Sequence, residues 1–402
     1  MIDQIFVWIG AIASIIGLVT SYLFFVDRKL SKNKSLYLLI RSYTKENRAK
    51  LCEKILNDYS YKHYSSSHHL IAKKNWFPET PIKVEERLIT FGESSNDTLL
   101  KIQKFSQFPT NESGIKCKRM SEAVEKLENP KKFENRQHYR LLNYENTSHP
   151  IFMYSNQKAS YFDKIDYGSL LEFEYARKHY LKQHQKFSFA RLRFRNKLKN
   201  AENIMDKVKV LTGISTLTLL QDGDELRFIM HQRNNVGYAQ GVFHVAPAGE
   251  FQPETDTPER FSLDFSFWKN IMREYAEEIG TIEELDGNSG FKTDYSKPPF
   301  SLMQKAIDEN KAQLFYLGFG LDPLSLQGEV LTVCVFQHDT FKHIFPNIVD
   351  KNSEGTLYTE KEKWGVPFTK DVVDSYINNN TLQAGKAILE LVWKYRDQIR
   401  IS

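Results

Sequence analysis

Three glutamates within five residues hold the densest chemistry in this chain. In Arg273-Glu274-Tyr275-Ala276-Glu277-Glu278-Ile279-Gly280, Glu274, Glu277 and Glu278 stand at i, i+3 and i+4. A helix therefore puts their carboxylates on one face. Like charges at that spacing repel and weaken a bare helix. A divalent cation removes the cost, and hard carboxylate oxygens suit Mg2+ or Mn2+. A solvated acidic face is the competing reading. Trp268, Ile271, Met272, Tyr275 and Ile279 follow the helical period on an adjoining side, which predicts a buried apolar face. Gly280 is expected to close the helix as a left-handed C′ glycine.

The elements that must position this helix lie from about residue 208 onward. Residues 216–220, the Asp222-Gly223 pair and residues 225–231 read as a hairpin. Residues 242–246 read as a strand leading to Gly249, followed by an insert over 251–261 rich in Pro, Thr and acids. Residues 314–321 and 330–337 read as strands, and residues 384–395 as an amphipathic helix. Strands before and after helices in this order suit an α+β domain with helices on two faces of a mixed sheet.

The stretch Arg273 to Gly280 matches the core of the Nudix box, R-E-hydrophobic-x-E-E-x-G, and Pro247-Ala248-Gly249 resembles its opening. Glu362-Lys363-Trp364-Gly365-Val366-Pro367-Phe368 resembles the Trp-x-Pro stretch near the end of such domains. The resemblance implies a nucleoside diphosphate linked to another group as substrate. It implies Glu277 and Glu278 as metal ligands, and Glu274 as a ligand or the group that handles the attacking water. It further implies that Arg273 orients the glutamates by hydrogen bonds and that Gly249 lets the backbone approach the metal. Glu354, Glu360 and Glu362 are candidates for a base from a later loop. The gap from Gly249 to Arg273 is longer than the family's by about ten positions. Phe265 stands at the family's first-glutamate position, with Glu254, Glu259 or Asp264 as stand-ins, and Thr281 replaces the usual aliphatic residue after the glycine.

Residues 5–25 form an uncharged run of 21 residues, long enough to span a bilayer as a helix. Asp3 precedes the run, while Arg28, Lys29, Lys32 and Lys34 follow it. A single pass with the amino terminus outside and the rest cytoplasmic is expected. The charge order also excludes a cleavable signal peptide. Gly10 and Ser14, Ala13 and Gly17, and Gly17 and Ser21 are each four apart, a spacing that permits close helix packing in lipid. A net charge of +5 permits contact with anionic partners without requiring it. Three scattered cysteines, Cys52, Cys117 and Cys334, exclude a disulfide scaffold and a zinc site.

The middle region is expected to carry helices over 36–56 and 170–185, a strand over 82–91 and a short apolar run over 151–154. Residues 187–195 alternate as a strand would, placing Arg191, Arg193 and Arg195 in one row. Such a row suits phosphate contact, with a solvated edge as the competing reading. The expected division is an anchor over 1–30, a middle α/β region over 31–207 and a Nudix-like mixed-sheet domain over 208–402.

This arrangement resembles the transmembrane-Nudix effectors of bacterial cyclic-oligonucleotide anti-phage systems (CBASS), of the SMODS-associated type. The resemblance implies a role at the inner membrane and a cyclic nucleotide made by a partner nucleotidyltransferase. It also implies a homo-oligomer on activation and no direct DNA binding. Three functions stay open. The Nudix domain is an enzyme, or it is a non-catalytic sensor that clusters the membrane helices, or the chain is a housekeeping membrane-attached Nudix hydrolase.

Overall fold

The computed structural model describes residues 18, 21, 33–58, 60–84, 88–93, 98–105, 108–111, 114–130, 133–146, 149–184, 192–233, 241–280, 293–348, 355–358 and 364–401. The expected membrane span over 5–25 lies outside them, apart from Leu18 and Ser21. Among the described residues no helix is long and apolar enough to cross a membrane.

The chain divides into two compact units, one of residues 1–43 with 101–133, the other of residues 44–100 with 134–402. This differs from the expected boundary at 207/208. In the first unit, helical residues 33–43 present Tyr37 and Arg41, which donate to Glu128 Oε1 over 2.6 and 2.7 Å. Glu128 ends a π turn, Val124–Glu128, that continues the short helix Met120–Ala123. Asn129 follows at φ 45°, a conformation that Asn tolerates better than most residues.

The second unit is built on one long strand, Val210–Asp222. Gly328–Gln337 runs parallel along one edge of it for ten residues. Its other edge is shared: Arg140–Asn146 pairs with its start, Ala248–Glu250 with its middle, and Glu225–Phe228 with its end. The last pairing is the expected hairpin, with Gly223 at φ 57° in the turn. Ala312–Leu321 extends the far edge antiparallel to Gly328–Gln337, and Pro150–Ser155 extends the near edge antiparallel to Arg140–Asn146. The result is a mixed sheet, and the fold is α+β as expected.

Alternation along the central strand decides what covers each face. Leu217 and Leu219, with Leu331, Val333 and Val335 beside them, pack under Ile388, Leu391 and Val392 of the helix Gln383–Lys394. Thr216 and Thr218 face the other way. The Thr216 hydroxyl meets that of Thr332 at 2.7 Å, and the Thr218 hydroxyl meets that of Tyr275 at 2.8 Å. The acidic helix therefore lies on this second face.

Several expectations in the middle region change. The helix over 36–56 breaks at Asn47, and a second helix spans Arg48–Asp58. The strand over 82–91 is two strands, Ile82–Lys83 and Ile89–Gly92, which pair with different neighbours. Residues 185–191, including Arg191, lie outside the described residues, and Arg193–Leu198 is helical rather than extended. Arg195 is fully buried, donating to the Tyr61 hydroxyl at 2.9 Å and to the carbonyls of Pro323, Leu171 and Leu324. Carbonyl and hydroxyl oxygens of the protein interior take the terminal N–H groups of this guanidinium, so Arg193 and Arg195 do not form a phosphate-facing row.

Candidate functional site

Ser266 caps the acidic helix, its hydroxyl accepting from the Lys269 N–H at 3.4 Å. The helix runs Phe267–Glu274 and then widens into a π turn, Tyr275–Ile279. The Gly280 N–H closes that turn on the Tyr275 carbonyl at 3.0 Å. Ile271, Met272, Tyr275 and Ile279 are buried, and Trp268 is partly exposed. Gly280 is not a left-handed cap, since its φ is −74° and ψ −170°. What it supplies is room: a Cβ there would lie 2.6 Å from the Ala276 carbonyl oxygen.

Glu274 and Glu277 are partly exposed, and Glu278 is buried. Both Glu274 and Glu278 meet the strand Ala248–Glu250. A Cβ built on Gly249 would lie 2.0 Å from Oε1 and from the carboxyl carbon of Glu274. The Ala248 N–H donates to Glu278 Oε2 at 3.3 Å. Only glycine at 249 leaves space for a carboxylate against the strand backbone. That bare cradle and the all-oxygen donor set fit a hard divalent cation. Among the described residues, however, no three His, Cys, Asp or Glu side chains are gathered closely enough to hold one.

Arg273 is buried and points into the insert. It pairs with Asp264 at 3.1 Å and donates to the Gln252 carbonyl at 2.6 Å, to Asn270 Oδ1 at 3.0 Å and to the Tyr295 hydroxyl at 3.4 Å. Burial pulls its pKa down, but Tyr295, Asp264, Glu274 and Glu277 outweigh that and hold it above the ordinary value. These contacts tie the helix to Gln252 of the insert and to Asp264 and Tyr295 outside it, where the sequence led one to expect them on the glutamates.

The candidate stand-ins for the first glutamate separate in the same network. Asp264 accepts from the Glu254 N–H at 2.9 Å and from the Tyr295 hydroxyl at 2.9 Å, besides pairing with Arg273. Glu254 accepts from the Thr293 N–H and hydroxyl at 2.8 and 2.6 Å and pairs with Arg260 at 3.2 Å. Glu259 is exposed. Phe265 is absorbed by packing, its ring stacked on Phe91 at 3.8 Å. Glu354, Glu360 and Glu362 lie outside the described residues.

Sequence reasoning missed a second polar group on the opposite face of the sheet. Strand register places Glu250 and Glu329 on either side of Gly213. Lys164 pairs with Glu250, and His138 stands 3.9 Å from it. Burial pushes the Glu329 carboxyl up to about 8; Lys164 opposes this, while Asp322 and Glu250 add to it. Burial also favours the neutral form of Glu250, but Lys164 and His138 prevail and hold it below the usual carboxylate range. The Ser215 hydroxyl lies 3.1 Å from His244 Nε2 and 3.5 Å from Glu329. Burial, aided by Arg233 and His231, lowers His244 to about 3. Residues drawn from positions 138 to 329 leave no local signal in the sequence.

No family model matches the sequence, and no curated protein matches it. Among solved structures it is similar to the NUDIX domain of Shewanella oneidensis NrtR complexed with ADP ribose. Identity there is 13%, covering 48% of this chain and 89% of that one, with a TM-score of 0.25. A MutT/nudix family protein from Enterococcus faecalis is 11% identical over 55% of this chain and 73% of that one, at 0.27. The Nudix hydrolase RenU from M. smegmatis is 10% identical over 48% and 88%, at 0.25. TM-scores of this size carry no argument about function. These structural neighbours are Nudix proteins, and the functional reading of this chain rests on its own residues.

Proposed function

We propose that the second unit is a Nudix-type domain that binds a nucleoside-diphosphate-type ligand with Mg2+ or Mn2+ and hydrolyses it. The observation that carries this is the Glu274 carboxylate lodged against Gly249, in the space a side chain would fill. Glu274, Glu277 and Glu278 would hold the cation, with Gly249 offering its bare backbone. Such a cation supplies charge for the phosphate oxygens and a more acidic water. Arg273, tied to Asp264, fixes the helix that presents the carboxylates.

On the resemblance set out above, the domain serves an inner-membrane effector of a CBASS system. The span over 5–25 is its anchor, a cyclic nucleotide made by a partner nucleotidyltransferase its signal, and a homo-oligomer its active form. A second reading makes the domain a sensor that clusters membrane helices; the buried, hydrogen-bonded state of Glu278 favours it. Two variants separate the readings when toxicity is measured in bacteria carrying the activating nucleotidyltransferase. Glu274→Gln with Glu278→Gln should abolish toxicity, while Gly17→Leu should leave it. Toxicity kept in the glutamate variant but lost with Gly17→Leu would overturn the enzyme and make the membrane helix the effector, with small residues packing in lipid.

A further inference from the structure

A pocket of about 370 Å3 lies beside the first turn of the acidic helix. The helix Phe300–Asp308 and the strands Ile82–Lys83 and Ala312–Leu321 complete it. That volume suits a small organic ligand. Trp268 and Tyr295 supply aromatic lining, and Met272 and Leu314 add apolar lining. The Trp268 indole N–H donates to Gln304 at 2.9 Å, which fixes its ring. Lys83 and Lys269 also line the pocket, and among the described residues no Asp or Glu does. Lys269 is held by the Leu263 carbonyl at 2.8 Å and lies 5.3 Å over the Tyr295 ring. Lys83 is exposed and forms no ion pair among the described residues. Two cations without a lining acid favour a negative ligand, and two rings favour a flat one.

We propose that this pocket binds a small aromatic anion, at a site separate from the box carboxylates. Met272 and Glu274 are two residues apart, about 200° around an α-helix, so the pocket and the carboxylates use different faces. The inference stands whether or not the glutamates hold a cation. It also reaches the box network. Tyr295, which lines the pocket, donates its hydroxyl to Asp264 and accepts from Arg273.

Calorimetry on the full chain tests it, with indole-3-acetate as the probe and uncharged indole-3-ethanol as its neutral counterpart. The anion should bind saturably with one site per chain, at least tenfold more tightly than the alcohol. Lys83→Ala, a change at an exposed position that leaves the fold intact, should weaken the anion at least fivefold and leave the alcohol unchanged. Trp268→Ala should weaken both probes, and Trp268→Phe, which keeps a ring, should restore most of the affinity. Equal affinity for the two probes, an unchanged affinity in Lys83→Ala, or no saturable binding would each overturn the proposal.

Discussion

A single methyl group at position 249 would collide with the Glu274 carboxylate, because a Cβ there sits 2.0 Å from Oε1. Gly249→Ala should therefore displace Glu274 at a stability cost of about 1–3 kcal/mol, the usual scale for overpacking. Its Mn2+ affinity, read by calorimetry, should fall at least tenfold, as should that of Glu277→Gln with Glu278→Gln. Unchanged Mn2+ binding in Gly249→Ala would remove Glu274 from the ligand set. Glu329 makes a different prediction. Its folded pKa of about 8 exceeds an unfolded value of about 4.3. The protonated side chain therefore contributes stability that is complete below the unfolded value and lost as pH rises through 8. Glu329→Gln mimics the neutral acid, so its melting temperature should exceed the parent's at pH 9 by more than at pH 5. A pH-independent offset would show that Glu329 does not titrate in this window. Gly249 and Glu274 were legible in the sequence because a spaced motif names them. Glu329 was not, because only strand register brings it beside Glu250.

The acidic helix was legible as an element from the spacing of Ile271, Met272, Tyr275 and Ile279, all of which are buried. Its ending was not. A π turn has the same composition as an α turn, and Gly280 looks alike in sequence whether it supplies a left-handed φ or an empty Cβ position. In this helix it supplies the second, 2.6 Å from the Ala276 carbonyl oxygen. Gly280→Ala should thus disturb the π turn and the placement of Glu278, at about 1–3 kcal/mol. Gly280→Asn separates the two roles, since Asn tolerates left-handed φ but brings a Cβ. Chemical denaturation should find Asn at least as damaging as Ala. An Asn variant close to the parent would favour the cap reading. The arginine row failed for a related reason. Alternating Phe and Arg fits a half-exposed strand, but Arg195 finds the Pro323 and Leu324 carbonyls and packs inside a helix.

The strand Val210–Asp222 was half legible at the scale of the molecule. Its end was read from the hairpin at Gly223, but its beginning answers to residues some seventy positions earlier in the chain. Val210 and Leu211 pair with Leu141 and Arg140. The Thr212 hydroxyl meets that of Tyr154 at 2.9 Å. Lys164 pairs with Glu250, and Arg48 pairs with Asp322 at 3.0 Å. A boundary at 207/208 would cut all of these. A fragment of residues 208–402 would bare Val210 and Leu211 to water, leave the carbonyls of Pro323 and Leu324 without Arg195, and leave Glu250 and Asp322 without their cations. Each buried polar group so orphaned costs about 1–3 kcal/mol, and a domain's whole stability is only about 5–15 kcal/mol. The fragment should therefore lack a cooperative thermal transition and near-ultraviolet dichroism, while a fragment of residues 44–402, which retains Arg48, Arg140, Leu141, Tyr154, Lys164 and Arg195, should show both. A cooperative transition in the shorter fragment, at the temperature of the longer one, would show that residues 208–402 fold alone and that the middle strands are an addition to a sheet already stable without them.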